Sequence, residues 1–299
     1  MFLLVFLALF GFLCWYSVFI RTIVFSPIKS AYYAFHDMVD YIKYKKYDLL
    51  QTGHIIAYVA LFGRGKTLSV VHYVRSVFNR YNDKKVFDFS RGKWVTQRVL
   101  ILSNVELTDV PYVKLESLQQ IVDLAEYNRL YDLKNDTRTC TIVLGDEFSV
   151  QLNSRQFKDN IDPLFLNTLL TCRHHNISLI YDAQRFNHVD ALLRQVTSEV
   201  VSCNKIWRVM VSEVFDAWQL ENSSSPDLVA PIRRFGWFIT DSDFNAYDTL
   251  ACVGNLIKKC KENDILSEDE ILNHLNNSNT IVNVSASAGG SKHKWKRKK

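Results

Sequence analysis

One short stretch, from His54 to Arg80, constrains the fold of this chain more than any other. It begins with the apolar, β-branched run His54–Ala60, which is typical of a buried strand. The glycine-rich segment Leu61-Phe-Gly-Arg-Gly-Lys-Thr67 follows directly, and Leu68–Arg80 has a helix-like composition. A strand, a glycine-rich turn, Lys-Thr and a helix, in this order, predict a loop that binds nucleotide phosphates.

The residue types of this loop suit that chemistry. Backbone N–H groups at the helix start face the β-phosphate, Lys66 brings a positive charge to the β- and γ-phosphates, and the Thr67 hydroxyl is a ligand for Mg²⁺. The usual pattern begins with glycine, which serves the tight turn, so Ala60 fits if its φ is negative. A chance Gly-Lys-Thr in a surface turn is the alternative. The predicted binding residues are Ala60, Leu61, Phe62, Gly63, Arg64, Gly65, Lys66, Thr67 and Leu68.

A second segment, Thr139–Glu147, supplies the acidic groups that such a loop needs. It is an apolar run that ends in two adjacent carboxylates. We expect Asp146 to hold Mg²⁺ through water and Glu147 to polarise the attacking water. Two adjacent acids that merely open the next helix are the alternative. The two segments in this order favour binding of ATP or GTP with Mg²⁺.

A third candidate strand, Asn176–Gln184, ends in a polar residue. In a parallel sheet this end lies at the carboxyl edge, where ligands bind. Gln184 is therefore predicted to orient the lytic water or to sense the γ-phosphate, and an ordinary glutamine at a strand end is the alternative.

The first twenty residues, Met1–Ile20, carry no charged side chain and are long enough to cross a bilayer. Nothing basic precedes them, which favours an uncleaved anchor over a signal peptide; a buried core helix is a further alternative. The positive side chains that follow place the rest of the chain in the cytoplasm. Residues 23–52 are predicted to be a juxtamembrane helix that lies on lipid or packs as a stalk on the main domain.

Charge is distributed unevenly along the chain. The formal net charge is +5, but Lys292–Lys299 carry six positive charges, so the body of the protein is slightly acidic. This excludes a uniformly basic nucleic-acid coat. Asn82–Arg98 is predicted to be an exposed loop whose Arg91, Lys93 and Trp94 either contact nucleic acid or are solvated. The six cysteines lack zinc-ligand spacing and predict buried, reduced thiols.

Further segments resemble the zonular occludens toxin-like (Zot) family, the assembly ATPases of filamentous phages, which are related to the FtsK–HerA motors. They are Ile101–Leu107, Phe165–His175, Ser178–Gln184, Val189–Gln195 and Phe244–Thr249. The resemblance covers roughly residues 53–250 and implies an α/β P-loop NTPase with a mostly parallel central sheet flanked by helices. It also implies that Arg173 or Arg194 acts in trans on the γ-phosphate of a neighbouring subunit.

The expected organisation is a transmembrane anchor (1–22), a juxtamembrane segment (23–52), an ATPase domain (53–262) and a short helix, linker and disordered basic tail (263–299). The expected function is ATP hydrolysis that drives phage assembly and DNA extrusion at the cytoplasmic face of the host inner membrane. Expected partners are other copies of the chain in a ring, coat or other assembly proteins, membrane lipid and single-stranded DNA. The alternatives are a packaging ATPase of a non-filamentous virus and a nucleotide-binding membrane scaffold with little turnover.

Overall fold

One large sheet organises the part of the chain that the structure describes. The computed structural model describes residues 10–12, 14–115, 117–146 and 163–248, within a unit that ends at Asp248. The strands are β1 (Ile55–Val59), β2 (Lys85–Asp88), β3 (Lys93–Ser103), β4 (Glu106–Leu107), β5 (Val113–Lys114), β6 (Thr137–Gly145), β7 (Ile177–Ala183), β8 (Glu199–Ile206), β9 (Val209–Asp216), β10 (Arg233–Phe238) and β11 (Tyr247–Asp248).

Nine strands form this sheet, in the order β10–β9–β8–β1–β7–β6–β3–β2, with β5 added beside β3. The central strands β8, β1, β7, β6 and β3 are parallel to one another. β9 and β10 extend the sheet antiparallel on one side, and β2 does so on the other. The predicted mostly parallel sheet is confirmed, with antiparallel strands at both margins.

Helices lie before and between these strands. They are α1 (Val18–Phe25), α2 (Pro27–Lys43), α3 (Lys66–Tyr81), α4 (Gln119–Asn135), α5 (Pro163–Leu170), α6 (Ala191–Val196), α7 (Ala217–Asn222) and α8 (Asp241–Phe244). Short 3-10 helices occupy Lys46–Asp48, Phe186–His188 and Pro226–Leu228.

The strand at the centre of the sheet, β7, is buried on both faces. Every residue of β7 is buried, because β7 lies between β1 and β6 and helices cover both faces of the sheet. On one face α3 packs Val71 and Val74 against the strands. On the other, α4 contributes Ile121 and Ala125 to a cluster with β1, β6 and β7. Fold and site are therefore built on the same buried strands.

Three of the cysteines lie inside this core. Cys140, Cys172 and Cys203 are buried free thiols, as the sequence predicted. Burial raises the pKa of Cys140 to about 11, so this thiol stays protonated at neutral pH.

The helices before the sheet expose their apolar side chains. No residue of α1 or α2 is buried, and Phe25 and Ile28 are 80% and 85% exposed. Among the described residues, no helix combines the length and the apolar character that a membrane crossing requires. Residues 1–9 and 13 of the predicted anchor lie outside the described residues, and the anchor stays a prediction.

The segment Asn82–Arg98 corrects one expectation from the sequence. The predicted exposed loop is wrong, because the segment forms β2, a turn and the first half of β3. The alternation typical of a strand is broken in β3, where the apolar Trp94 is exposed and the polar Gln97 is buried. Arg91 donates hydrogen bonds to Asp88 and to the carbonyl oxygens of Asp132 and Thr137, so it stabilises the turn.

Candidate nucleotide-binding site

The predicted phosphate loop connects β1 to α3 at the carboxyl edge of the parallel strands. β1 ends at Val59 and α3 begins at Lys66, so residues 60–65 make the turn. Gly63 and Gly65 have left-handed backbone angles, with φ of 72° and 84°. The first N–H groups of the 16-residue helix α3 have no partner within the helix, and its dipole is positive at this end. The turn therefore has the geometry of an anion site.

The first and last positions of the loop, Ala60 and Gly65, differ in whether they can accommodate a side chain. Ala60 is buried and meets the condition set for it, because it is not among the described non-glycine residues with positive φ. Gly65 cannot be replaced in the same way. A Cβ atom at Gly65 would lie 2.5 Å from Cε of Met210, in a backbone conformation that L side chains rarely adopt. Alanine thus fits the start of this loop, whereas its end requires glycine.

Lys66 is turned toward the sheet. Its side chain is only 9% exposed, and its Nζ lies 3.9 Å from Oδ2 of Asp182, which is itself 1% exposed. The Phe62 ring covers the ammonium group, with its centroid 5.7 Å from Nζ. The pair brings together the loop and β7, the strand beside β1. The loop lysine therefore already faces a carboxylate of its own chain.

Asp182 is a site residue that the sequence analysis missed. It lies within the run Ile-Ser-Leu-Ile-Tyr-Asp-Ala of β7, where the strand looks simply buried. The available signal was the carboxylate itself, since aspartate is rarely fully buried unless it is paired. The partner was not recognisable from sequence, because Lys66 lies more than a hundred residues earlier.

The two predicted halves of the site meet. Thr67 Oγ1 donates a hydrogen bond of 2.9 Å to Oδ1 of Asp146, the residue that follows β6. Asn104, which follows β3, fixes the backbone of Asp146 on both sides: its Nδ2 donates to the carbonyl oxygen and its Oδ1 accepts from the N–H, each at 2.8 Å. Asp146 thus lies beside the phosphate loop, and its role in holding Mg²⁺ stays a prediction. Glu147 lies outside the described residues.

The same pair of oxygens fits the predicted Mg²⁺. Mg²⁺ prefers oxygen ligands and is usually held by one or two protein groups together with substrate phosphates and water. The Thr67 hydroxyl and the Asp146 carboxylate provide such groups beside the phosphate loop. When bound there, Mg²⁺ would neutralise charge on the phosphates.

Gln184 and Arg194 both follow β7 in the chain, and Gln184 lies at the carboxyl end of the strand. Gln184 comes directly after Ala183, whose carbonyl oxygen accepts a 3.4 Å hydrogen bond from the N–H of Ala60. The predicted sensor is therefore beside the loop. Arg194, on α6, donates a 2.6 Å hydrogen bond to Glu221 and others to the carbonyl oxygens of Asn187 and Val189. These contacts give Arg194 a structural role within its own chain.

Arg173 lies at the opposite, amino edge of the sheet. It precedes β7, and its Cβ is 2.6 Å from the position a Cβ would take at Gly53, just before β1. It therefore does not reach the phosphate loop of its own chain. The action of Arg173 or Arg194 in trans stays a prediction.

A cavity of about 270 Å³ lies on the phosphate loop. Its far wall was not predicted as part of the site and is made by Lys205 of β8, Phe244 of α8 and Tyr247 of β11. The remaining lining residues are Leu61, Phe62, Gly63, Gly65, Lys66, Thr67 and Leu68. The described cavity wall thus has two lysines and no carboxylate, which suits an anion with an apolar part.

The wall is joined to α3 through Asp243. His72 Nδ1 and Arg75 Nη1 of α3 both lie 3.0 Å from Oδ1 of Asp243, and the His72 ring stacks on Trp237. Burial alone would raise the pKa of Asp243. The hydrogen bonds from Thr240 and His72 outweigh that effect and hold the pKa below its ordinary value. Asp243 is therefore ionised at neutral pH.

No protein-family model and no curated protein sequence matches the chain. Similar solved structures include the N-terminal domain of zonular occludens toxin from Neisseria meningitidis, at 17% identity over 66% of this chain and 100% of that one, with a TM-score of 0.41. That domain carries the name of the family that the sequence motifs resemble.

Two further structures are of the protein B204. One is the genome packaging NTPase from Sulfolobus turreted icosahedral virus 2 in complex with ATP-gammaS, at 13% identity over 55% of this chain and 92% of that one, with a TM-score of 0.36. The other is the DNA-packaging ATPase from Sulfolobus turreted icosahedral virus, at 11% identity over 57% and 95%, with a TM-score of 0.37.

Proposed function

We propose that this protein hydrolyses ATP at the loop between β1 and α3 and couples hydrolysis to virion assembly. The observation that carries the proposal is the 2.9 Å hydrogen bond between Thr67 and Asp146. It joins the residue after the loop lysine to the acid at the end of β6, although 79 positions separate them in the chain. Phosphoryl transfer depends mainly on such positioning and on electrostatic stabilisation.

Each side chain has a separate task in this proposal. Lys66 leaves Asp182 and binds the β- and γ-phosphates, while Thr67 and Asp146 hold Mg²⁺. Glu147, next in the chain, polarises the attacking water, and Gln184 orients it. Bound Mg²⁺ offsets the negative charge that the triphosphate brings to the site.

The proposed work is extrusion of phage DNA across the host inner membrane. The resemblance of residues 53–250 to Zot-like assembly ATPases supports it. The uncharged segment Met1–Ile20 with basic residues after it supports an anchor that leaves the ATPase domain in the cytoplasm. The protein would act as a homo-oligomer, with Arg173 or Arg194 reaching a neighbouring γ-phosphate.

The test is phosphate release from ATP by the full-length chain in liposomes, with and without Mg²⁺. Thr67→Val removes the hydroxyl at nearly constant volume and should lower turnover about a hundredfold, the scale of one lost transition-state contact. The matched control is Thr52→Val at the amino edge, where the hydroxyl only donates to Asn176 at 3.3 Å. Equal turnover in both variants would contradict the proposed site.

Adding DNA separates the proposed function from its alternatives. Stimulation of turnover by single-stranded DNA supports extrusion of a filamentous genome. Stimulation by double-stranded DNA alone points to a packaging ATPase. Nucleotide binding without phosphate release, whatever DNA is added, would make the protein a scaffold.

A further inference from the structure

The phosphate loop accounts for only one wall of its cavity. Lys205, Phe244 and Tyr247 form the other wall, and they lie from 137 to 186 residues farther along the chain than the loop residues. None of them has a task in phosphate binding as proposed above. Phe244 is nevertheless 41% exposed, which leaves a large part of its ring open to a ligand.

Lys205 connects the two walls. Its Cβ and Cδ lie 3.6 and 3.7 Å from the position that a Cβ would occupy at Gly65, so its stem runs along the phosphate loop. Its Nζ lies 5.6 Å from the centroid of the Phe244 ring, and Cζ of Arg208 lies 5.8 Å from it. A ligand that binds the loop and reaches Phe244 therefore passes a positively charged group.

The aromatic wall is held firmly in place. α8 begins with a capping box between Thr240 and Asp243, and Asp243 binds His72 and Arg75 of α3. Tyr247 belongs to β11, which pairs with β4. Because α3 starts at Lys66, this network fixes the wall relative to the loop.

We propose that Phe244 and Tyr247 form the nucleobase wall of this site. In this arrangement the phosphates bind the loop and the base stacks on the Phe244 ring. Stacking on an aromatic side chain accepts any base, so the wall gives affinity for nucleotides over inorganic phosphates without selecting one base. The proposal rests on the proposed function, since it concerns the same nucleotide.

Inorganic tripolyphosphate distinguishes the contributions of the two walls to binding, because it has the phosphates of ATP and no base. The experiment compares the affinities of Mg-ATP and Mg-tripolyphosphate for the full-length chain and for Phe244→Leu by titration calorimetry. Phe244→Leu should weaken ATP binding roughly 5- to 100-fold and leave tripolyphosphate binding unchanged. Phe238→Leu is the control, since Phe238 is also exposed but meets the Trp207 ring edge to face.

The outcomes are distinct. If Phe244→Leu weakens the binding of both ligands equally, or of neither, the proposed nucleobase wall is wrong. If the wild-type chain binds neither ligand, the proposed function itself fails. Phe244→Trp provides a second readout that does not depend on Phe244→Leu folding. Its added fluorescence, relative to wild type, should be quenched by ATP and not by tripolyphosphate, and quenching by both or by neither would also overturn the proposal.

Discussion

The two edges of the parallel sheet carry similar residues and use them differently. At the carboxyl edge, Gly65 has a left-handed backbone and Lys66 faces the carboxylate of Asp182. At the amino edge, Gly53 is also left-handed, with φ of 91°, and Arg138 lines a cavity of about 510 Å³. Each edge thus has a glycine in the left-handed region, a basic side chain and a cavity.

The partners of the basic groups distinguish the edges. Arg138 donates hydrogen bonds to the carbonyl oxygen of Leu50 at 3.1 Å and to the side-chain oxygens of Gln97 and Asn176, each at 2.9 Å. These neutral acceptors tie the segment before β1 to β3 and to the segment before β7. Lys66, in contrast, is not hydrogen-bonded to Asp182 at 3.9 Å, so its donors remain for a phosphate. Arg138 anchors the fold, and Lys66 is poised to bind a ligand.

The largest expected difference between the two edges comes from removing the positive charge of Lys66 at one edge or of Arg138 at the other. Lys66→Met should reduce ATP turnover about 10²- to 10³-fold, because a charge aimed at the transferred phosphate is lost. Arg138→Met should instead lower the free energy of unfolding by about 2–4 kcal/mol, because several acceptors lose a charged donor. The measurements are phosphate release and unfolding in urea. If Arg138→Met lost turnover at unchanged stability, the distinction between the edges would be wrong.

Alanine substitutions at Gly53 and Gly65 form a matched pair of variants with a smaller expected effect. Gly53→Ala would place a Cβ 2.7 Å from Cα of Arg173, a main-chain atom that cannot easily move. Gly65→Ala meets the flexible end of Met210 instead. Both pay about 1–2 kcal/mol for the left-handed backbone, and Gly53→Ala should lose more because of its clash. Thermal unfolding with and without ATP should show that only Gly65→Ala also loses stabilisation by nucleotide; the same behaviour in both variants would remove the contrast.

The assignment of residues to one edge or the other also explains which parts of the site the sequence predicts well. The loop from Ala60 to Thr67 is recognised because strand, turn and helix are neighbours in the chain. Asp146 is recognised because an acid directly after an apolar strand must lie at the carboxyl edge. The same rule, applied to Arg173, assigns it to the amino edge, since it precedes β7.

Other features depend on contacts that local patterns do not encode. Asp182 is part of the site only because β7 lies beside β1, and strand order is a property of the whole sheet. Phe244 reaches the loop through the network around Asp243, which joins segments about 170 residues apart. Arg91 resembles a surface residue in sequence, and its acceptors come from α4 and β6.

A still smaller effect tests whether Lys66 is held ready at the carboxyl edge. When a nucleotide draws Lys66 away, the buried ion pair between Lys66 and Asp182 is broken, which opposes binding. Asp182→Asn removes this cost, so it should lower the stability of the free protein and tighten ATP binding by about tenfold, or 1.4 kcal/mol. Titration calorimetry of both forms checks this. Weaker ATP binding in Asp182→Asn would mean that Asp182 assists the nucleotide instead of competing with it.

The smallest predicted effect is the pH dependence that Asp243 gives to the wall beside the phosphate loop. The pKa of Asp243 is lower in the folded protein than in the unfolded chain, so its ionised form stabilises the fold. This contribution is complete above the ordinary carboxyl pKa of about 4 and is lost as the pH falls through the lowered value. Asp243→Asn should therefore be less stable than wild type at pH 7, and the difference should shrink below pH 4. Arg138→Met, whose lost contacts involve a guanidinium and neutral acceptors, should keep its stability deficit over the same range. Urea unfolding between pH 7 and pH 3 measures both differences, and a constant deficit for Asp243→Asn would show that its carboxylate does not hold the wall through its charge.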